Sequence, residues 1–369
     1  MTSLSIPATM ADITPEWLTT ALRDNGALKH ASVTSIERET IGVGIGILGE
    51  LARIALTYDR PERGAPGSLV AKLPTADPGG RGIGTALGFY NKEVLFYQHL
   101  GRDAVLPSPR CYWSAADLGA GQFCLLLEDL SDIRIGNQVD GATLEDAHLI
   151  LEAAARFHAQ WWNDPRLQRL DWIPTINAPV YRFVPVAYQG ALEPFLGSIG
   201  QRLNAHQQAI ARELGSVLPG LQDSMAGAPV TLLHGDLRLD NVFYGSTDGS
   251  APITFIDWQI ASQGVGIYDV GYFMTQSLDP ALRSAHERPL VEEYYQRLRD
   301  GGVSGYSWEQ CWNDYRKVAL YCLVYPVISI GTIDLANERG VTLAEKMTDR
   351  CIAAIDDLGA EEFLKQLVR

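Results

Sequence analysis

The residue pattern changes about a third of the way along the chain, and this change limits the folds that the chain can adopt. In the first third, apolar residues alternate with polar ones or form short runs between turns, as in "ELARIALTYD" and "FCLLLEDLS", which predicts strands. From about residue 143 they recur at helical spacing, as in "TLEDAHLILEAAARFHAQWW". Strands followed by helices indicate an α+β protein with two lobes. We predict a first lobe over residues 1–127, a second over residues 128–369, and a hinge at about 126–131.

Composition narrows the class of protein and its partners. Of the 369 residues, 46% are hydrophobic and 20% charged, as in globular proteins with a large core. The net charge of -14 disfavours binding to nucleic acid or an anionic membrane and is compatible with a cationic substrate. The five scattered cysteines contain no C-x-x-C pair, which argues against a disulfide framework or a zinc site.

The N-terminal residues show no secretory signal pattern. The longest apolar run, "VALYCLVYPVISIGTI" (318–333), predicts a buried helix broken by Pro326, because it is short for a membrane span. We therefore expect a cytoplasmic protein with no membrane partner. The sequence does not indicate an oligomeric state.

A glycine cluster follows the first predicted strand. "GIGILG" places Gly44, Gly46 and Gly49 in the pattern G-x-G-x-x-G. In a dinucleotide-binding fold a helix follows this pattern directly, whereas the segment after Gly49 predicts a strand. A glycine loop between two strands covers the nucleotide phosphates in kinases, because glycine lets backbone N–H groups approach phosphate oxygens. An ordinary glycine-rich hairpin fits the same residues. A second glycine-rich segment, 77–88, is predicted to be a loop.

A lysine and a glutamate come next. Lys72 lies in the predicted strand "LVAKLP", and Glu93 lies in the predicted helix "FYNKEVLFYQHL". A strand lysine held by a helix glutamate can grip the α- and β-phosphates of a nucleotide. The alternative is a lysine whose ammonium group simply reaches solvent.

The segment "LLHGDLRLDNVFYG" (232–245) places polar side chains on a short turn between apolar runs. Phosphoryl transfer requires a group that takes the proton of the acceptor hydroxyl and divalent cations that neutralise the phosphates. Asp236 is a candidate base, and Asn241 offers a neutral oxygen to magnesium. Asp257, at the end of the apolar run "ITFID", supplies a second acid. A hairpin between Asn241 and Asp257 would bring these two side chains together.

The pattern H-G-D-x-x-x-x-N, formed by His234, Gly235, Asp236 and Asn241 and followed by Asp257, resembles the aminoglycoside phosphotransferase and choline-kinase-like superfamily. The pieces "NKEVLFYQHL", "CLLLEDLS", "ARFHAQWW" and "IDWQIAS" are most similar to its ecdysteroid-kinase-like (CHK-kinase-like) branch. The resemblance implies a two-lobed protein-kinase-like fold. Its small N-terminal lobe would carry an antiparallel sheet, and its larger, mostly helical C-terminal lobe would carry the catalytic loop and substrate pocket.

The resemblance also implies residue roles and cofactors. His234 and Asp269, the latter in "IYDVGYF", would support the catalytic loop. Arg238 occupies the position at which protein kinases place a lysine that touches the transferred phosphate, although a solvent-facing arginine fits equally well. The implied cofactors are ATP and Mg²⁺. We expect His158 to be a core histidine and Asp240 to be a surface or loop-ordering acid.

The predicted activity is transfer of the γ-phosphate of ATP to a hydroxyl of a small molecule. The alternatives are a catalytically silent nucleotide-binding protein on the same fold, an aminoglycoside-resistance kinase, and a protein kinase, which the absence of an activation segment argues against. The acceptor and the choice between ATP and GTP stay open. Aromatic residues of the helical part line a substrate pocket or belong to the core: Trp161, Trp162, Trp172, Tyr181, Phe183, Tyr188, Phe195, Tyr272 and Phe273.

Overall fold

The computed structural model describes residues 4–42, 48–101, 104–117, 119–227, 229–330 and 338–367. Two glycines of the first motif, Gly44 and Gly46, lie outside the described residues. The chain divides into two compact units. The first, here called the sheet unit, comprises Met1–Ile133, Ser246–Asp248 and Thr254–Gln259, and the second, the helical unit, comprises Arg134–Gly245, Gly249–Ile253 and Ile260–Arg369.

The five longer strands precede most of the helices, as the residue pattern predicts. The strands are β1 (Val33–Ile41), β2 (Gly49–Tyr58), β3 (Ser68–Pro74), β4 (Cys111–Asp117), β5 (Gln122–Glu128), β6 (Thr231–Leu233), β7 (Val242–Phe243), β8 (Thr254–Phe255) and β9 (Ser262–Gly264). The helices are α1 (Pro15–Asp24), α2 (Pro78–Ala86), α3 (Phe89–His99), α4 (Leu144–Trp161), α5 (Phe183–Leu196), α6 (Ala205–Met225), α7 (Ile267–Ser277), α8 (Pro280–Asp300), α9 (Trp308–Tyr321), α10 (Val324–Ser329), α11 (Glu338–Leu358) and α12 (Glu362–Leu367).

The sheet unit is built on an antiparallel sheet of five strands in the order β1-β2-β3-β5-β4. The central strand β3 carries Lys72, which lies opposite Leu51 of β2 and Leu125 of β5. A strand, β2, begins at Gly49, the last glycine of the motif. This confirms the predicted strand and excludes the helix that a dinucleotide-binding turn requires.

Helix α1 covers one side of this sheet. Its N-terminus is capped by Thr14, whose hydroxyl accepts a hydrogen bond from the N–H of Trp17. The buried side of the helix carries Trp17, Leu18 and Leu22, which join Ile54 of β2 in the core. An amphipathic helix of this kind is stabilised mainly by burying its apolar side.

Helix α2 corrects the prediction of a glycine-rich loop over residues 77–88. The carboxylate of Asp77 accepts a hydrogen bond from the N–H of Gly80 and Pro78 occupies the first turn, and both features favour a helix start. A Cβ atom on Gly84 would lie 2.4 Å from the ring of Tyr90. Glycine is therefore needed here for the close packing of α2 on α3, not for a turn.

The helical unit contains the longer helices and the strand pair β6–β9, in which Leu232 lies opposite Gln263. Every residue of α7 is buried. The predicted break at Pro326 is confirmed, because α9 ends at Tyr321 and α10 begins at Val324. Inside a continuous helix, a proline ring clashes with the carbonyl group four residues earlier. Among the described residues, no helix has the length and apolar character needed to cross a bilayer.

Candidate active site

Lys72 lies in the sheet unit between two carboxylates. Its ammonium nitrogen Nζ is 2.7 Å from Oε2 of Glu93 on α3 and 3.0 Å from Oδ1 of Asp257, which follows β8. The side chain of Lys72 is 11% exposed and that of Glu93 is 2% exposed. The structure therefore brings together three of the residues that the sequence singled out and shows that Lys72 does not extend into solvent.

The charges in this cluster depend on one another. Burial acts to lower the pKa of Lys72, but the charges of Asp257 and Glu93 more than offset it and hold that pKa above its ordinary value. Burial raises the pKa of Glu93, against the opposing charge of Lys72. Lys72 therefore keeps its charge, and that charge opposes the effect of burial on the pKa of Glu93.

Backbone strain and an aromatic stack hold Asp257. Its φ of 67° is in the left-handed region, which costs a residue with a Cβ atom about 1–2 kcal/mol. The next residue, Trp258, is fully buried, and its ring stacks on Phe96 of α3 with centroids 3.8 Å apart and planes at 9°. Oδ2 of Asp257 accepts a hydrogen bond from Gln259 at 3.0 Å. The acid and the helix that carries Glu93 are thus joined by packing as well as by Lys72.

The turn that begins at His234 lies in the helical unit and requires a glycine. Gly235 has a φ of 84°, and a Cβ atom there would lie 2.4 Å from the carbonyl oxygen of Ile260. The backbone N–H groups of His234 and Gly235 donate to the two carboxylate oxygens of Asp269 on α7, at 2.7 and 2.9 Å. Helix α7 thereby fixes the main chain of the turn.

The rings of the two histidines near this turn, His234 and His158, make different contacts. The ring nitrogen Nδ1 of His234 accepts a hydrogen bond from the N–H of Asp236 at 3.3 Å, so this ring contacts the backbone of the turn. His158 is fully buried, and its ring nitrogens contact Asp269 at 3.1 Å and the hydroxyl of Tyr294 at 2.9 Å. The prediction that His158 is a core histidine is confirmed.

Asp236 is surrounded by donors from the helical unit. Its Oδ2 accepts a hydrogen bond from Nδ2 of Asn241 at 3.0 Å and lies 3.4 Å from Nε of Arg238. Its Oδ1 accepts a hydrogen bond from the hydroxyl of Tyr272 at 2.8 Å. Arg238 is therefore paired with Asp236, and its side chain is partly exposed. The sequence identified Tyr272 only as one of several aromatic residues.

Asn241 of the helical unit and Asp257 of the sheet unit each carry an oxygen of the type that hard divalent cations prefer. Nδ2 of Asn241 donates to both the carbonyl oxygen and Oδ2 of Asp236, which orients the amide and leaves its Oδ1 oxygen as the atom available to a ligand. Asp257 offers carboxylate oxygens. In the described part of the chain, no three His, Cys, Asp or Glu side chains form a metal-binding group. Magnesium is commonly held by one or two protein oxygens together with substrate phosphates.

Gly49, Asp240 and a set of aromatic residues are the other residues that the sequence singled out. Gly49 is the first residue of β2, and a Cβ atom on it would lie 3.3 Å from Cε of Lys72. Asp240 is 8% exposed and accepts hydrogen bonds from the N–H of Gln138 and from Arg339, so it orders the loop and is not a surface acid. Most of the aromatic residues proposed for the pocket are buried in the core, namely Trp161, Tyr181, Tyr188, Phe195, Tyr272 and Phe273, whereas Phe183 is exposed.

Comparison with protein-family models identifies the family. Residues 66–319 match the model of the "Phosphotransferase enzyme family". The chain belongs to this family. Membership confirms the predicted class of enzyme, a small-molecule phosphotransferase, and the matched residues include Lys72, Glu93, Asp236, Asn241 and Asp257.

Solved structures confirm the fold of this phosphotransferase. Choline kinase from Cryptosporidium parvum is 12% identical, with a TM-score of 0.53, over 90% of this chain and 94% of that one. The GDP complex of wild-type aminoglycoside 2'-phosphotransferase-IIIa is 14% identical, with a TM-score of 0.50, over 90% of this chain and 97% of that one. The predicted protein-kinase-like fold is thus shown. No curated protein sequence gives a significant match, and the likeness to the ecdysteroid-kinase-like branch stays a prediction.

Proposed function

We propose that this phosphotransferase is an ATP- and Mg²⁺-dependent kinase that transfers the γ-phosphate to a hydroxyl group of a small molecule. The observation that carries the proposal is the buried ammonium group of Lys72, held 2.7 Å from Glu93 on the helix. A cation fixed in this way, on a strand that pairs with β2, is suited to bind nucleotide phosphates. A lysine that served only solubility would lie exposed.

The proton acceptor in this proposal is Asp236. The oxygen of the acceptor hydroxyl attacks the γ-phosphorus, its proton passes to the Asp236 carboxylate, and the bond to the β-phosphate oxygen breaks to release ADP. Arg238, 3.4 Å from the same carboxylate, is the residue we assign to charge stabilisation of the transferred group. His234 and Asp269 keep the main chain of the turn in place through the hydrogen bonds described above.

Asn241 and Asp257 are the proposed magnesium ligands. When bound, the cation neutralises the charge that builds up on the phosphate oxygens. Asn241 contributes a neutral oxygen whose direction is set by the bonds of its amide nitrogen to Asp236. Asp257 contributes a charged oxygen and is held by Lys72 and Gln259. We propose a cytoplasmic location and no nucleic acid partner, in line with the net charge of -14.

The test compares wild type with Asp236→Asn in one preparation. Phosphate transfer from ATP or GTP is measured against a panel of alcohols, amino alcohols and aminoglycosides, and nucleotide affinity is measured by calorimetry with Mg²⁺. We expect the variant to lose transfer by at least about 10³-fold while its nucleotide affinity stays within about threefold. Asp132→Asn, a change at an exposed position, is the matched control. A variant that transfers phosphate as fast as wild type would remove Asp236 from the mechanism, and a wild type that binds nucleotide without transferring phosphate would favour the silent nucleotide-binding alternative.

A further inference from the structure

Helix α7 carries two residues that contact the loop of Asp236. Asp269 and Tyr272 are three positions apart, so they lie on the same side of the helix. Asp269 accepts hydrogen bonds from the backbone of residues 234 and 235, and Tyr272 donates one to the side chain of Asp236. One buried helix therefore holds both the main chain of the turn and the carboxylate at its end.

The hydroxyl of Tyr272 acts as a hydrogen-bond donor in this contact. It lies 2.8 Å from Oδ1 of Asp236, and the residue is 3% exposed. Burial raises the pKa of Tyr272 well above its ordinary value, and the charge of Asp236 acts in the same direction. The phenol therefore stays protonated across the physiological range and presents its proton to the carboxylate.

Neighbouring rings hold Tyr272 in place. The ring of Tyr325 on α10 contacts it edge-on, with centroids 4.5 Å apart and planes at 80°. The hydroxyl groups of Tyr325 and Tyr268 are hydrogen-bonded to each other. Because Tyr272 is enclosed in this way, its donor has a fixed direction.

The carboxylate of Asp236 is thus restrained at both oxygens. Oδ2 is held by Asn241 and lies near Arg238, and Oδ1 is held by Tyr272. Without a donor at Oδ1, the carboxylate can rotate about its terminal side-chain torsion, which is intrinsically broad. General-base catalysis depends on the direction of the accepting oxygen, and a misplacement of about 1 Å can cost about a hundredfold in rate.

We propose that Tyr272 is a positioning residue that sets the orientation of the Asp236 carboxylate for proton transfer. The inference deepens the proposed function and rests on it. It assigns to Tyr272 no contact with nucleotide or acceptor. Loss of its hydroxyl is therefore expected to lower kcat and to leave KM for both substrates nearly unchanged.

The experiment compares Tyr272→Phe with Tyr306→Phe. Tyr306 is a matched control, because its buried hydroxyl also donates to a carboxylate, that of Asp314 at 3.1 Å. We expect Tyr272→Phe to lower kcat by about 10- to 100-fold with each KM within about twofold, and Tyr306→Phe to keep the kcat of wild type. Incorporation of p-aminophenylalanine at position 272 restores a donor and is expected to recover most of kcat.

Three results would overturn the inference: an unchanged kcat for Tyr272→Phe, an equal loss for both phenylalanine variants, or no recovery with p-aminophenylalanine. If Tyr272→Phe fails to fold, 4-fluorophenylalanine at position 272 fills the space of the hydroxyl without a donor, and a wild-type kcat would then overturn the inference. Asp236→Asn, assayed in parallel, separates the two proposals. If Asp236→Asn is active, the proposed function has failed; if it is inactive and Tyr272→Phe is fully active, only the role of Tyr272 has failed.

Discussion

Replacing Lys72 by methionine is expected to destabilise the sheet unit and to do so most strongly at alkaline pH. Methionine keeps most of the apolar stem, whose Cε packs near Gly49, so the change removes mainly the charge. The carboxylates of Glu93 and Asp257, 2.7 and 3.0 Å from Nζ in wild type, then face each other without a cation. Removing one partner of a buried ion pair costs about 3–5 kcal/mol. Since Asp257 is 19% exposed, we expect about 3 kcal/mol at pH 8.

The pH dependence follows from Glu93. Its pKa is raised by burial and lowered by Lys72, so in the variant the pKa rises further. A carboxyl group whose pKa is higher in the folded protein than in the unfolded chain binds more protons when folded, and stability therefore falls as pH rises between the two pKa values. The variant is expected to be nearly as stable as wild type at pH 5, where Glu93 is protonated, and to lose stability progressively towards pH 9.

Urea unfolding followed by circular dichroism at pH 5, 7 and 9 measures this difference. The double variant Lys72→Met/Glu93→Gln removes the unpaired charge and should recover about 2 kcal/mol at pH 8, while phosphate transfer stays abolished. Recovery of stability without activity would separate the structural role of the ion pair from its proposed role in nucleotide binding. A Lys72→Met protein as stable as wild type at pH 9, or a double variant no more stable than the single one, would refute the reasoning.

Two further changes test other parts of the structure. Gly235→Ala is expected to cost about 2 kcal/mol more than Gly64→Ala, measured by urea unfolding, because both glycines have φ near 85° but only at Gly235 would a Cβ atom clash, with Ile260; equal costs would contradict the close approach. Burial lowers the pKa of Lys92 to about 7. Its charge therefore opposes folding below pH 7, and this penalty, on the order of 5 kcal/mol, falls as pH rises from 7 towards 10.5. Lys92→Met should therefore stabilise the protein more at pH 6 than at pH 10, and a pH-independent gain would contradict the buried position.

Features of the site that depend on residues close together along the chain can be predicted from the sequence. The strand that carries Lys72, the helix of Glu93 and the turn at Gly235 all follow from short patterns. The pairing of Lys72 with Glu93 is the expected one, whereas the contact of Lys72 with Asp257 was not predicted. Family resemblance adds the roles of His234 and Asp269, which spacing alone does not indicate.

Other features depend on contacts between residues that are far apart along the chain. Tyr272 contacts Asp236 across 36 positions, and nothing in its local sequence separates it from the aromatic residues of the core. Helix α2 was predicted as a loop because glycine has low helix propensity, whereas its cap at Asp77 and its packing against Tyr90 favour the helix. Burial and tertiary packing decide these cases, and they cannot be read from a single sequence.

The stack of Trp258 on Phe96 has a consequence for how this kinase could be controlled. Exposing a fully buried tryptophan returns about 150–250 Å² of surface to water and costs about 4 kcal/mol or more. A conformer with the indole swung outward would then occur in about one molecule in a thousand. The acid at position 257 consequently spends nearly all its time beside Lys72, and an inhibitor that needs the outward conformer would lose about a thousandfold in apparent affinity.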